Sequence, residues 1–156
     1  MKILKWVLIV LAVAFVCIQF VRPARTNPEF DQSKTLESTA VVTPEAAAIL
    51  ERSCNDCHTS RTRWPWYSNI APVSWYLASD VNEGRRNLNL SEWGTYNAKK
   101  ADRKLQEICE QVEHGQMPLK SYLLIHPSAK LSDADRQALC GWTKQEQQRL
   151  QASVGK

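Results

Sequence analysis

Cys54, Asn55, Asp56, Cys57 and His58 form a C-x-x-C-H run, and no other feature constrains this chain as tightly. Two thiols three positions apart can each add across one vinyl group of a single porphyrin, and the histidine that follows then lies under the iron as its proximal ligand. A chain built this way folds around a flat, apolar disc. The other uses of such a pair fit less well. A thiol redox motif wants a βαβ setting of thioredoxin type. A zinc site wants a second close pair of ligands, whereas the remaining candidates, Cys109, Cys140, His114 and His126, do not supply one at zinc-like spacing.

The chain has 156 residues, room for one small domain and a non-globular N-terminus. A formal charge of +4 is the kind of excess that raises nucleic acid as a partner, but Lys2, Lys5, Arg22 and Arg25 account for it, and beyond them 16 acidic residues face as many basic ones. No polybasic stripe of the kind that a phosphate backbone needs is present. Nucleic acid is therefore not expected as a partner.

Trp6 to Ile18 is unbroken apolar sequence, and Phe20 with Val21 extends it past Gln19. This length can just span a bilayer, so residues 1–21 are expected to form an uncleaved signal anchor with one transmembrane helix. A cleaved secretory signal is the alternative, though Arg22-Pro23-Ala24-Arg25 is a poor cleavage site. Cys17 reads as apolar filler, because no small residue that favours lipoprotein processing precedes it. Since bacterial c-type haem is attached outside the cytoplasm, the expected placement is single-pass in the inner membrane with the haem domain in the periplasm. Residues 22–42, polar and punctuated by proline, read as a tether or as an arm lying on the domain.

From residue 43 to 152 the pattern is helical. Thr43-Pro44-Glu45 supplies an N-cap, a first-turn proline and an acid, and that helix runs into the cysteines. Ala71-Pro72-Val73-Ser74 opens a second helix towards Arg86. Asn97 begins a third, with Ala101, Leu105, Ile108 and Val112 on one face and Gly115 as its cap. Ser132 to Asp135 is a capping box for a last helix bearing Ala138, Leu139 and Trp142. The expected fold class is all-α, a cytochrome c-like helical haem domain after the N-terminal helix.

An iron held by His58 has an opposite face, for which Met117, His126 and His114 are candidates. Met117 is favoured: it is the sole methionine besides Met1 and lies between the cap Gly115 and Pro118, where a thioether can be aimed at iron. Trp64, Trp66 and Trp75 are expected both to fill core and to sheathe the haem, raising its potential by excluding water. Arg61, Arg63, Arg85 and Arg86 could hold propionates, although each also reads as ordinary surface arginine. Cys109 and Cys140 are left over, and a disulfide and two buried thiols are evenly matched readings.

The blocks T-R-W-P-W-Y-S-N-I-A-P-V-S-W, V-N-E-G-R-R, G-Q-M-P-L-K-S-Y and H-P-S-A-K-L-S, together with C-N-D-C-H, resemble the bacterial family called the haem-binding domain. The resemblance covers roughly residues 40 to 150. It implies an exported protein with one covalently held haem c, Cys54 and Cys57 as attachment points and His58 as proximal ligand. Met117 as distal ligand follows from similarity to monohaem cytochromes c. No enzymatic activity comes with the resemblance, and no catalytic residue is expected.

With both axial positions filled, such an iron changes oxidation state with little movement and leaves no place for a substrate. The function expected is single-electron transfer between redox partner proteins. The alternatives are an enzyme or sensor with a vacant or labile sixth position, and a structural haem subunit of a larger complex.

Overall fold

Thr43 begins the domain's first core helix as its side chain predicts, its hydroxyl accepting from Ala46 N at 3.2 Å with Pro44 in the first turn. In the computed structural model, which describes residues 1–154, every regular element is helical and no strand occurs among the described residues. The α-helices are α1 (Lys2–Ile18), α2 (Leu36–Thr39), α3 (Pro44–Ser53), α4 (Asn55–His58), α5 (Val73–Asn87), α6 (Ala98–Glu113), α7 (Lys120–Leu123) and α8 (Asp133–Val154). Short 3-10 turns at Gln32–Lys34, Trp66–Asn69, Leu90–Thr95 and Pro127–Ala129 link them.

The core lies where α3, α6 and α8 meet. Ala101, Leu105, Ile108 and Val112 form the buried face of α6, and they join Ile49, Leu50, Leu90, Trp93, Leu131, Leu139 and Trp142 in one cluster. A side chain of this size contributes about 1.5–3 kcal/mol when fully buried, so this cluster is the main support of the domain. α8 starts on the expected capping box, with Ser132 N donating to Asp135 Oδ2 at 2.8 Å and Asp135 N donating to Ser132 Oγ at 3.1 Å. A Cys109–Cys140 disulfide, with Cα atoms 4.8 Å apart, staples α6 to α8.

Residues 22–42 lie along this body. Leu36 is buried in the core cluster, Asn27 Nδ2 donates to Thr62 O at 2.9 Å, and Trp142 Nε1 donates to Val41 O at 2.9 Å.

The expected transmembrane anchor is corrected. α1 has 17 residues, about 25 Å at 1.5 Å per residue, short of the roughly 30 Å hydrocarbon core. No helix among the described residues is long and apolar enough to cross a membrane. The shortfall arises at the helix end, because Phe20 and Val21 fall outside α1 while Gln19 turns back to the domain. The Gln19 amide donates to Ala71 O at 3.2 Å and accepts from Ala71 N at 2.9 Å. The inner membrane as a partner and the single-pass placement, with the periplasmic haem domain assigned to it, are withdrawn with that span.

Candidate functional site

α4 carries the C-x-x-C-H motif and packs on α5 through a glycine. A Cβ added to Gly84 would stand 2.6 Å from Cys57 O and 3.2 Å from Cys57 Cβ, so only glycine lets the two helices approach this closely. The same helix fixes the histidine. His58 Nδ1 donates to Gly84 O at 3.1 Å and to Leu88 O at 3.0 Å. Carbonyls only accept, so the proton sits on Nδ1 and the lone pair on Nε2, the arrangement of a metal-binding imidazole. Burial holds the imidazole below its ordinary pKa, which favours that neutral form.

Both motif cysteines are free thiols. Burial, with the neighbouring thiol adding to it, pushes Cys54 up to about 12. Burial, followed by the charges of Asp56 and Asp80, pushes Cys57 up to about 11. A disulfide oxidoreductase depends on a low-pKa thiolate. These thiols sit at the opposite extreme, which counts against dithiol chemistry.

The chain returns to the site through the turn after α6. Gly115 adopts φ +64°, and Gln111 O accepts both Gln116 N at 2.9 Å and Met117 N at 3.1 Å. This helix-ending motif needs left-handed backbone at the glycine, and it delivers Met117 to the region of His58. Two cavities, of about 290 and 330 Å³, both have Cys54, His58, Asn87 and Met117 among their walls. The larger is also lined by Leu50, Leu88, Ile108 and Val112, and the smaller by Tyr67, Tyr76, Leu77, Pro118 and Tyr122. Ser53 also lines the smaller cavity, and its Oγ is buried without a hydrogen-bond partner, a polar group that a bound molecule can satisfy. Two thiols, an imidazole and a thioether around a largely apolar slot are a donor set suited to an iron porphyrin.

Of the candidate site residues, Cys54, Cys57, His58 and Met117 are therefore brought together. Trp64, Trp66 and Trp75 are not among the residues lining either cavity. Trp66 is 75 % exposed, and the Trp75 indole N–H donates to Val21 O at 2.7 Å, turned towards the N-terminal segment. The aromatic wall is made by Tyr67, Tyr76 and Tyr122 instead. His126 lines the smaller cavity, but Nδ1 donates to Tyr122 O at 3.2 Å and Nε2 accepts from the Tyr67 hydroxyl at 3.1 Å, so both ring nitrogens are engaged. His114 caps α6 and is exposed.

The four arginines considered for propionates have partners of their own. Arg61 pairs with Glu37, Arg63 with Asp56 and Glu51, and Arg86 with Glu83. Arg85 donates to Thr59 O, Thr26 O, Asn27 Oδ1 and Thr62 Oγ1, each at 2.8 Å. Gly84, Tyr67 and Tyr122 do not stand out in the sequence as site residues. A glycine in mid-helix is a signal of close approach, but the tyrosines carry none until the fold places them.

The fold and the site define a class: a small all-α domain whose helices position a thiol pair, an imidazole and a thioether around two adjoining, largely apolar cavities. Within that class the chain belongs to the Haem-binding domain family, which matches residues 13–145. It is a haem-binding protein, and its cofactor is haem. The match begins inside α1, so residues 22–42 fall within the family's unit, well ahead of the start near residue 40 read from the motifs. No curated protein and no solved structure matches the chain.

Proposed function

We propose that this protein is a monohaem c-type cytochrome that carries single electrons between redox partner proteins. The observation that carries the reading is the His58 ring, whose Nδ1–H is spent on the Gly84 and Leu88 carbonyls, leaving Nε2 for iron. Cys54 and Cys57 would hold the haem as thioethers, and Met117 is the residue that would bind its iron together with His58. Haem bound in this way supplies a reversible one-electron couple. The chain's own part is to fix the imidazole, present the thioether and limit water with Leu50, Leu88, Ile108, Tyr67 and Tyr122. Hydrogen bonding of Nδ1 makes Nε2 a stronger donor, which favours ferric iron, whereas the thioether and the apolar wall favour ferrous. The potential reports their balance.

Extraction of the denatured protein with acidified acetone tests the attachment. The colour is expected to stay with the polypeptide, with a mass one haem above that of the bare chain. Colour that leaves with the solvent refutes a c-type site. The spectrum of the oxidised protein then separates the carrier from an open-site enzyme or sensor: a methionine–iron charge-transfer band supports the former, and a high-spin spectrum the latter.

A further inference from the structure

Met117 packs against the core cluster, but the stretch of chain that follows it beyond α7 is thinly held. Beyond α7, Leu124 is 86 % exposed and Ile125 56 % exposed, so this stretch adds little to the core, and segments with few buried contacts open most easily. Among the described residues, one side-chain hydrogen bond crosses from α7 to the haem-attachment helix. Tyr122 Oη donates to Asp56 Oδ2 at 2.9 Å, and Asp56 lies between the two motif cysteines. The pair bridges 66 positions of sequence and both residues line the same cavity.

Two further contacts hold the pair in place. Asp56 Oδ1 accepts from Arg63 Nε at 3.3 Å, fixing the carboxylate. The Tyr122 ring stacks on His126 with centroids 4.1 Å apart and planes 19° from parallel, and His126 in turn accepts from Tyr67. One chain of contacts thus joins the attachment helix, the methionine segment and the aromatic loop.

We propose that Tyr122 is a positioning residue for the sixth iron ligand: its hydroxyl, held by Asp56, keeps the Met117 segment across the haem slot. The proposal rests on the reading of Met117 as that ligand. Hydrogen bonds to charged acceptors are the stronger ones in proteins, so losing this bond shifts the closed-to-open balance by roughly ten- to a hundred-fold.

The test compares Tyr122→Phe, Met117→Ala and the wild type as loaded holoproteins. Tyr122→Phe keeps the ring and its stack but loses the hydroxyl. It is expected to weaken the ferric methionine–iron band, lower the reduction potential and speed carbon monoxide binding to the reduced protein by at least about ten-fold, moving towards Met117→Ala. If Met117→Ala changes the spectrum but Tyr122→Phe keeps the wild-type band, potential and binding rate, this proposal is overturned and the ligand reading stands. A fall in the melting temperature of Tyr122→Phe, with those three readouts unmoved, overturns it equally. If Met117→Ala itself changes nothing, the ligand reading fails and takes this proposal with it. Should Tyr122→Phe not load haem, Asp56→Ala carries the same three readouts and the same criteria.

Discussion

Gly84 and Cys57 touch through backbone: a Cβ at Gly84 would lie 2.6 Å from the Cys57 carbonyl oxygen. Gly84 O also accepts from His58 Nδ1, so one residue sets both the spacing of α5 from the haem motif and the orientation of the imidazole. Gly84→Ala should gain up to about 1 kcal/mol from helix propensity and lose about 1–3 kcal/mol from overpacking. The obstacle is backbone and cannot rotate away, so the loss is expected to win. Urea unfolding of the holoprotein checks the sign, and a shifted potential is expected to accompany it as the His58 bond lengthens. Stability equal to or above wild type would show that α5 can move aside.

The Cys109–Cys140 bridge closes a loop with a sequence separation of 31 that contains Met117. By loop-closure entropy this cross-link contributes about 3.5 to 4 kcal/mol. Cys109→Ser with Cys140→Ser should lower unfolding stability by an amount of that order, measured in denaturant without reductant. An unchanged midpoint would mean that the bridge does not form in solution, which thiol counting on the denatured wild type checks directly.

Helix starts are legible in the sequence because capping is local chemistry: Thr43, Asn97 and Ser132 each make the bond their side chain predicts. The α6 core face is legible for the same reason, its period surviving into the structure as four buried residues. The N-terminal span comes out too long when apolar residues are counted past Gln19, whereas a tertiary bond from that side chain goes with the end of the helix at Ile18. The tryptophans show a further limit. Composition places aromatics near a haem motif, but which ones line the slot depends on how the loop after α4 turns, and here Tyr67 faces in while Trp66 faces out.

Asp135 provides a pH signature away from the haem. Hydrogen bonds from the Ser132 backbone and hydroxyl, followed by Arg52, hold its carboxyl at about 2, below its ordinary value of 3.8. A carboxyl depressed on folding contributes stability that is fully present above the unfolded pKa and is lost as pH falls through the folded one. The window is therefore about pH 4 down to 2. Asp135→Asn should remove the part of the acid dependence in that window and leave the neutral-pH haem spectrum unchanged. If wild type and variant lose stability in parallel across it, the cap is not what Asp135 contributes.

Met117 decides between a closed carrier and an open haem. It lines both cavities with His58, whereas His126 has its two nitrogens committed to Tyr122 and Tyr67. Thioether sulfur favours ferrous over ferric iron, so Met117→Ala should lower the reduction potential and open the iron to carbon monoxide. Met117→His should keep six ligands yet also fall in potential. His126→Ala frees the Tyr67 hydroxyl and removes a stacking partner of Tyr122, so its expected effect is a partial weakening of the methionine band, smaller than that of Met117→Ala. The reverse ranking, with Met117→Ala silent and His126→Ala abolishing six-coordination, would make the histidine the ligand. It would also require His126 to break its bond to Tyr67 when haem is bound.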